Sequence, residues 1–119
     1  MRKLSFFLLL LTAACSTPDR PDYLDTDRWR LDDNGCKNYR SGIINDHPEL
    51  LDELKGKSED EIIGWLGQPD KNELYKRSQK FYVYAIDPSE ECAEAGNEHR
   101  YLQIRFNATN RAQEVMIYE

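Results

Sequence analysis

The 119-residue chain predicts an α+β fold in which helices cover one face of a three-stranded antiparallel β-meander. Three observations predict it. Residues 58–69 carry helix punctuation at both ends; beyond Pro69 the apolar period changes from helical to alternating; and three aromatic or β-branched runs, 80–86, 101–106 and 115–118, are separated by turn-forming residues. A meander of this kind must bury one face, and the helices are the elements to bury it.

The N-terminus reads as an address. Arg2 and Lys3 precede an apolar stretch from Leu4 to Leu11, and the small-residue run Thr12-Ala13-Ala14 stands immediately before Cys15. That order is the anatomy of a secretory signal, here residues 1–14. The apolar run is short of the roughly 20 residues that a spanning helix needs. Leu11-Thr12-Ala13-Ala14-Cys15 resembles the lipobox of bacterial lipoproteins, with Thr12 where that motif usually has Leu. The resemblance implies a diacylglyceryl thioether on Cys15, and Ser16 in place of Asp at the next position resembles the signal for outer-membrane delivery. A plain signal peptide adjoining a free cysteine is the alternative. Each buried acyl methylene contributes about 0.8 kcal/mol, so several chains on one residue anchor a domain stably.

Without residues 1–14 the chain carries 14 basic and 22 acidic side chains, a formal charge of −8. Nucleic acid is not an expected partner, because no basic stripe is present to displace counterions from phosphates. A chain of this length supports one small domain, for which a covalent staple is useful. With Cys15 assigned to lipid, Cys36 and Cys92 remain, and an even pair in an oxidising compartment suggests one disulfide. Two free thiols stay open as an alternative. A catalytic or metal role is less favoured, since neither cysteine has a CxxC partner or a nearby His.

Residues 15–35 are expected to be the lipidated N-terminus and a flexible tether, with Pro18, Pro21 and many charges and with neither helical nor strand period. Tyr23 and Trp29 are its exceptions, suited to dock on the domain or to sit near headgroups. The domain proper is expected over residues 36–119. Tyr39, Ile43, Ile44, Leu50, Leu51 and Leu54 recur at helical spacings broken by His47-Pro48, which predicts a short helix, a break and a further turn or two. The next helix, Glu59 to Leu66, opens on a capping box of Ser58 and Glu61 and is stopped by Gly67 and Pro69. Its buried face is Ile62, Ile63, Trp65 and Leu66.

Leu74 to Lys76 suggests a short edge strand, and Lys80 to Ile86 a strong strand. Asp87 to Glu98 is an acidic loop; Tyr101 to Phe106 and Val115 to Tyr118 complete the meander around a turn at Asn107 to Asn110. In the central aromatic strand Phe81 and Val83 share one face, and Tyr82 and Tyr84 the other. Either the tyrosines are half-buried sheet surface, or Tyr82 and Tyr84 line a helix-free face that contacts a partner, where tyrosines are enriched.

Gly56-Lys57-Ser58, Glu61-Ile62, Leu66-Gly67-Gln68-Pro69, Phe81-Tyr82-Val83-Tyr84 and Leu102 to Asn107 together resemble the small lipoprotein family called SmpA/OmlA or BamE. The resemblance spans roughly residues 40 to 119. It implies two short helices packed on one face of a three-stranded antiparallel meander, and a non-enzymatic accessory role in outer-membrane protein assembly or envelope integrity. Asn110 stands where relatives usually have Gly, which is acceptable because Asn tolerates positive φ. The acidic loop departs from the family's aromatic and basic contact residues, so no binding site transfers. The architecture also resembles that of secreted β-lactamase inhibitors, which keeps a second class of function open: a binding inhibitor or sensor gripping a secreted enzyme or a small ligand.

Chemistry is not evident. His47 and His99, the only histidines, lack ligand spacing to cysteines or carboxylates. Asp32-Asp33-Asn34-Gly35 lacks the alternation and closing Glu of a calcium loop. Asn107-Ala108-Thr109 reads as a turn, and Glu90-Glu91 lacks the apolar pocket that would separate two carboxyl pKa values. With no phosphate loop or nucleophile elbow either, the expectation is a protein without catalytic residues or cofactor, bound to a membrane by its lipid and to another envelope protein by its domain.

Overall fold

A computed structural model describes residues 20–75, 79–94 and 96–119. The expected signal peptide and the expected lipidation site at Cys15 lie outside the described residues. Helices α1 (Thr26–Leu31), α2 (Tyr39–Asp46), α3 (Leu50–Leu54) and α4 (Glu59–Leu66) precede strands β1 (Lys71–Tyr75), β2 (Gln79–Ala85), β3 (Tyr101–Phe106) and β4 (Ala112–Tyr118). The strands form one antiparallel sheet in the order β1-β2-β3-β4. The fold is α+β, as expected, but with four strands: the meander is β2, β3 and β4, and the edge strand adds to β2 from Lys71 rather than from Leu74.

The best-punctuated helix behaves as its sequence dictates. Ser58 Oγ accepts from the Glu61 amide at 3.2 Å and the Glu61 carboxylate reaches back to Ser58, closing the capping box of α4. Gly67 ends it at φ +72°, where a Cβ would come within 2.6 Å of the Arg30 side chain. The turn before β4 places Asn110 at φ 59°, the left-handed conformation that Asn tolerates.

The expectation for residues 15–35 is corrected where the structure describes them. From Tyr23 onward this segment is part of the domain. Asp25 caps α1, accepting from the amides of Asp27 and Arg28, and Trp29 is fully buried. Leu24 is 1% exposed, and Tyr23 stacks on His47 with ring centroids 3.8 Å apart while its hydroxyl donates to Glu53 at 2.7 Å. A six-residue helix is marginal alone. It is held because one indole and one leucine enter the common core, a burial worth several kcal/mol.

That core lies between the helices and one face of the sheet. Trp29, Ile43, Ile44, Leu50, Leu54, Ile62 and Leu66 meet Tyr82, Tyr84, Leu102, Ile104, Phe106 and Val115. Tyr82 and Tyr84, the candidate partner surface, are therefore interior residues, 4% and 0% exposed. The Tyr84 hydroxyl donates to the Gly67 carbonyl at 2.8 Å, and Tyr82 meets Phe106 edge-on at 4.7 Å. Burial pushes both phenol pKa values up. The two faces of β2 are assigned by register: Tyr82 pairs with Ile104 and Tyr84 with Leu102, so the tyrosines share the face of the cleanly alternating β3 core residues.

Candidate interaction face

The opposite face of the sheet is built from the remaining alternate residues. Across it run the rows Glu73-Phe81-Arg105-Glu114, Lys71-Val83-Gln103-Met116 and Ala85-Tyr101-Tyr118. None of these belongs to the core cluster, although Val83 and Ala85 are themselves buried at 2% and 3% exposure, so the accessible part of the face is its β3–β4 side. Met116 and Tyr118 are 39% and 37% exposed, and Tyr101 is half-buried. Tyr101 and Tyr118 stack at 5.4 Å with 25° between their planes, and Lys71 Nζ lies 5.9 Å from the Tyr101 ring centre. Arg105 donates to Glu114 Oε2 from both Nε and Nη2, at 3.2 and 3.0 Å. Burial, with Glu73 and Tyr101 nearby, raises the Tyr118 pKa. The face thus offers two stacked phenols and a thioether beside fixed charges. Its signal in the sequence was the polar phase of β3, Tyr101-Gln103-Arg105, which the Tyr82/Tyr84 assignment overlooked.

Cys36 and Cys92 are joined, with Cα atoms 5.4 Å apart. The bridge ties the acidic loop to the turn after α1, where the Ser89 amide also donates to the Asn34 carbonyl at 3.1 Å. Gly35, at φ +72°, lies so close to the Asp87 carbonyl that a Cβ would stand 2.5 Å from it. No larger residue fits there.

Asp87 anchors the far end of the loop. It accepts from the Arg100 amide at 3.0 Å, from Nε at 2.8 Å and from Nη2 at 3.0 Å. These bonds hold the Asp87 carboxyl below its ordinary range and raise the Arg100 guanidinium. Because the folded carboxyl has the lower pKa, its stabilisation is present above the unfolded value of about 3.9 and is lost as pH falls through the folded one. Asp87→Asn is expected to cost about 2 kcal/mol at pH 7, with the gap to the parent narrowing below about pH 4. Urea titrations at pH 7 and pH 3 check this; a gap that does not change with pH refutes it.

A shallow cleft of about 500 Å³ beside this loop is lined by Asn38, Asp87, Glu94 and Glu98. Asp87 is committed to Arg100, and Glu94 and Glu98 are exposed. Among the described residues no three His, Cys, Asp or Glu side chains converge to hold a metal, and no helix is long and apolar enough to cross a membrane. Comparison of the chain with family models, curated proteins and solved structures finds no match.

Proposed function

We propose that the protein is a non-enzymatic, lipid-anchored interaction module of the cell envelope that grips another envelope protein through the open face of its sheet. The observation that carries this reading is the patch of Tyr101, Met116 and Tyr118 on the sheet face opposite the core, flanked by Arg105 and Lys71. Aromatic residues, Met and Arg are enriched where proteins meet. The Cys36–Cys92 bridge supports an oxidising compartment, in keeping with the secretory signal and lipobox of residues 1–15. We further propose kinship with the SmpA/OmlA or BamE lipoproteins, on the motifs quoted above, with the helix pair α2 and α4 and the meander β2-β3-β4 as the shared frame. That kinship directs the role toward outer-membrane protein assembly or envelope integrity.

The test is mild crosslinking and pull-down of the lipidated chain from envelope membranes. Met116→Lys combined with Tyr118→Ser is expected to abolish capture while the domain stays folded, its melting temperature lowered by no more than about 10 °C for the lost Tyr101 stack. Undiminished capture by the folded double variant would remove the sheet face from the mechanism. Capture of one soluble enzyme in place of a membrane assembly would favour the inhibitor class over the accessory one.

A further inference from the structure

Residues expected to hold the domain away from the bilayer instead belong to it, and this shortens the leash. Between Cys15 and Arg20 there are five residue steps, a reach of at most about 18 Å even fully extended. At Arg20 the chain is already on the helical layer: Arg20 donates to Thr26 at 3.0 Å, and Thr26 Oγ1 to the Gly64 carbonyl of α4 at 3.4 Å. Trp29 on the same helix meets Tyr84 on the core face of the sheet, with ring centroids 6.2 Å apart. The open face lies on the other side of the sheet, behind a helix layer and a sheet layer that together measure about 20 Å. A leash of that length, rooted on the helical side, cannot lay the open face on the membrane.

The surface around the root is suited to a bilayer. Trp29 points inward, which turns Leu31 outward at 61% exposure between Arg28 and Arg30. Residues 20–31 carry three arginines and three aspartates, whereas residues 32–119 carry 11 basic against 18 acidic side chains. The α1 segment is therefore neutral where the remainder of the domain is net negative, and it presents one apolar side chain at headgroup level.

We propose that a lipid surface is the partner of the α1 side, with Arg20, Arg28, Arg30 and Leu31 held at the headgroups and the Tyr101-Met116-Tyr118 face turned outward to its protein partner. This rests on acylation of Cys15, proposed above. The test uses the full-length lipidated chain in phosphatidylethanolamine and phosphatidylglycerol vesicles carrying a headgroup-attached nitroxide. Single-site fluorophores are placed through Leu31→Cys or Met116→Cys. Intact mass and vesicle flotation are measured first: a chain without acyl mass that fails to float overturns the anchor itself, and the orientation with it. For a chain that is acylated and floats, quenching several-fold greater at position 31 than at 116 is expected, and equal quenching overturns the orientation alone. Inserting about 24 Gly and Ser residues after Ser16 adds a mean span of about 27 Å and should narrow the difference between the two positions to what the α1 surface alone sustains. Unchanged preferential quenching at 31 after the insertion would overturn the leash as its cause.

Discussion

Arg40→Ala is expected to remove about 3–5 kcal/mol of folding stability and to lower the melting temperature by more than about 10 °C. Arg40 is fully buried at the junction of four chain segments. Its Nη1 lies 2.6 Å from Asp70 Oδ2 and donates also to the Ala85 carbonyl at 3.1 Å, while Nε donates to the Trp29 carbonyl at 3.0 Å. The guanidinium sits over the rings of Trp29 and Tyr84, 5.4 and 5.7 Å from their centroids. Truncation leaves the largely buried Asp70 carboxylate without its cation and the Ala85 carbonyl without the Arg40 donor, while the Trp29 carbonyl keeps the Asp32 amide; the stranded charge is why the cost exceeds that of an ordinary exposed ion pair. Arg40→Met in an Asp70→Asn background is expected to cost less than Arg40→Met alone, because no charge is then stranded and the amide side chain can still accept from the Ala85 amide. Urea unfolding with the disulfide intact reads both comparisons. A loss below about 1 kcal/mol for Arg40→Ala would mean that the guanidinium is not the hub these contacts describe.

That hub also marks where sequence reading ends. The helix from Glu59 to Leu66 was legible because its cap, its acidic first turn and its Gly-x-Pro stop lie within twelve consecutive positions. Strands β2 to β4 were legible for a similar reason: β-branched and aromatic residues alternate locally and their turns carry Asn, Thr and Gly or Pro nearby. Arg40, Asp32 and Asp70 are separated by up to 38 positions, and each alone reads as a solvated charge. Nothing local announces that Asp32 receives the Lys37 amide and the Arg40 amide in the first turn of α2, or that Asp70 receives the amides of Asn34 and Ala85. The same blindness hid α1. A one-and-a-half-turn helix shows a single inward residue, Trp29, so no period can develop, and its aspartates and arginines mimic a tether. On β2 the failure was one of phase. Phe81, Tyr82, Val83 and Tyr84 are all apolar enough for either side, and only pairing with β3 decides that the two tyrosines face inward. The candidate site moved with that phase, from Tyr82 and Tyr84 to the residues on the other side of the same sheet.

Replacing Cys36 and Cys92 by alanine is expected to cost about 4 kcal/mol, by a mechanism opposite to that of Arg40. The bridge closes a loop of 56 sequence positions that contains α2, α3, α4, β1 and β2, leaving outside it the β3–β4 hairpin and α1. Its main effect falls on the unfolded chain, whose freedom it restricts, while in the native state the loop keeps other anchors: Ser89 to Asn34, and Asp87 to Arg100. The two lesions should therefore differ in kind. Without the bridge the unfolded ensemble expands, so the double alanine variant should show a steeper dependence of stability on urea as well as a lower midpoint. Arg40→Ala should lower the midpoint with the slope unchanged, since it alters the native contacts and leaves the cross-link in place. An unchanged slope on removing the bridge, or a loss below about 1 kcal/mol, would show that the staple contributes little to the unfolded state.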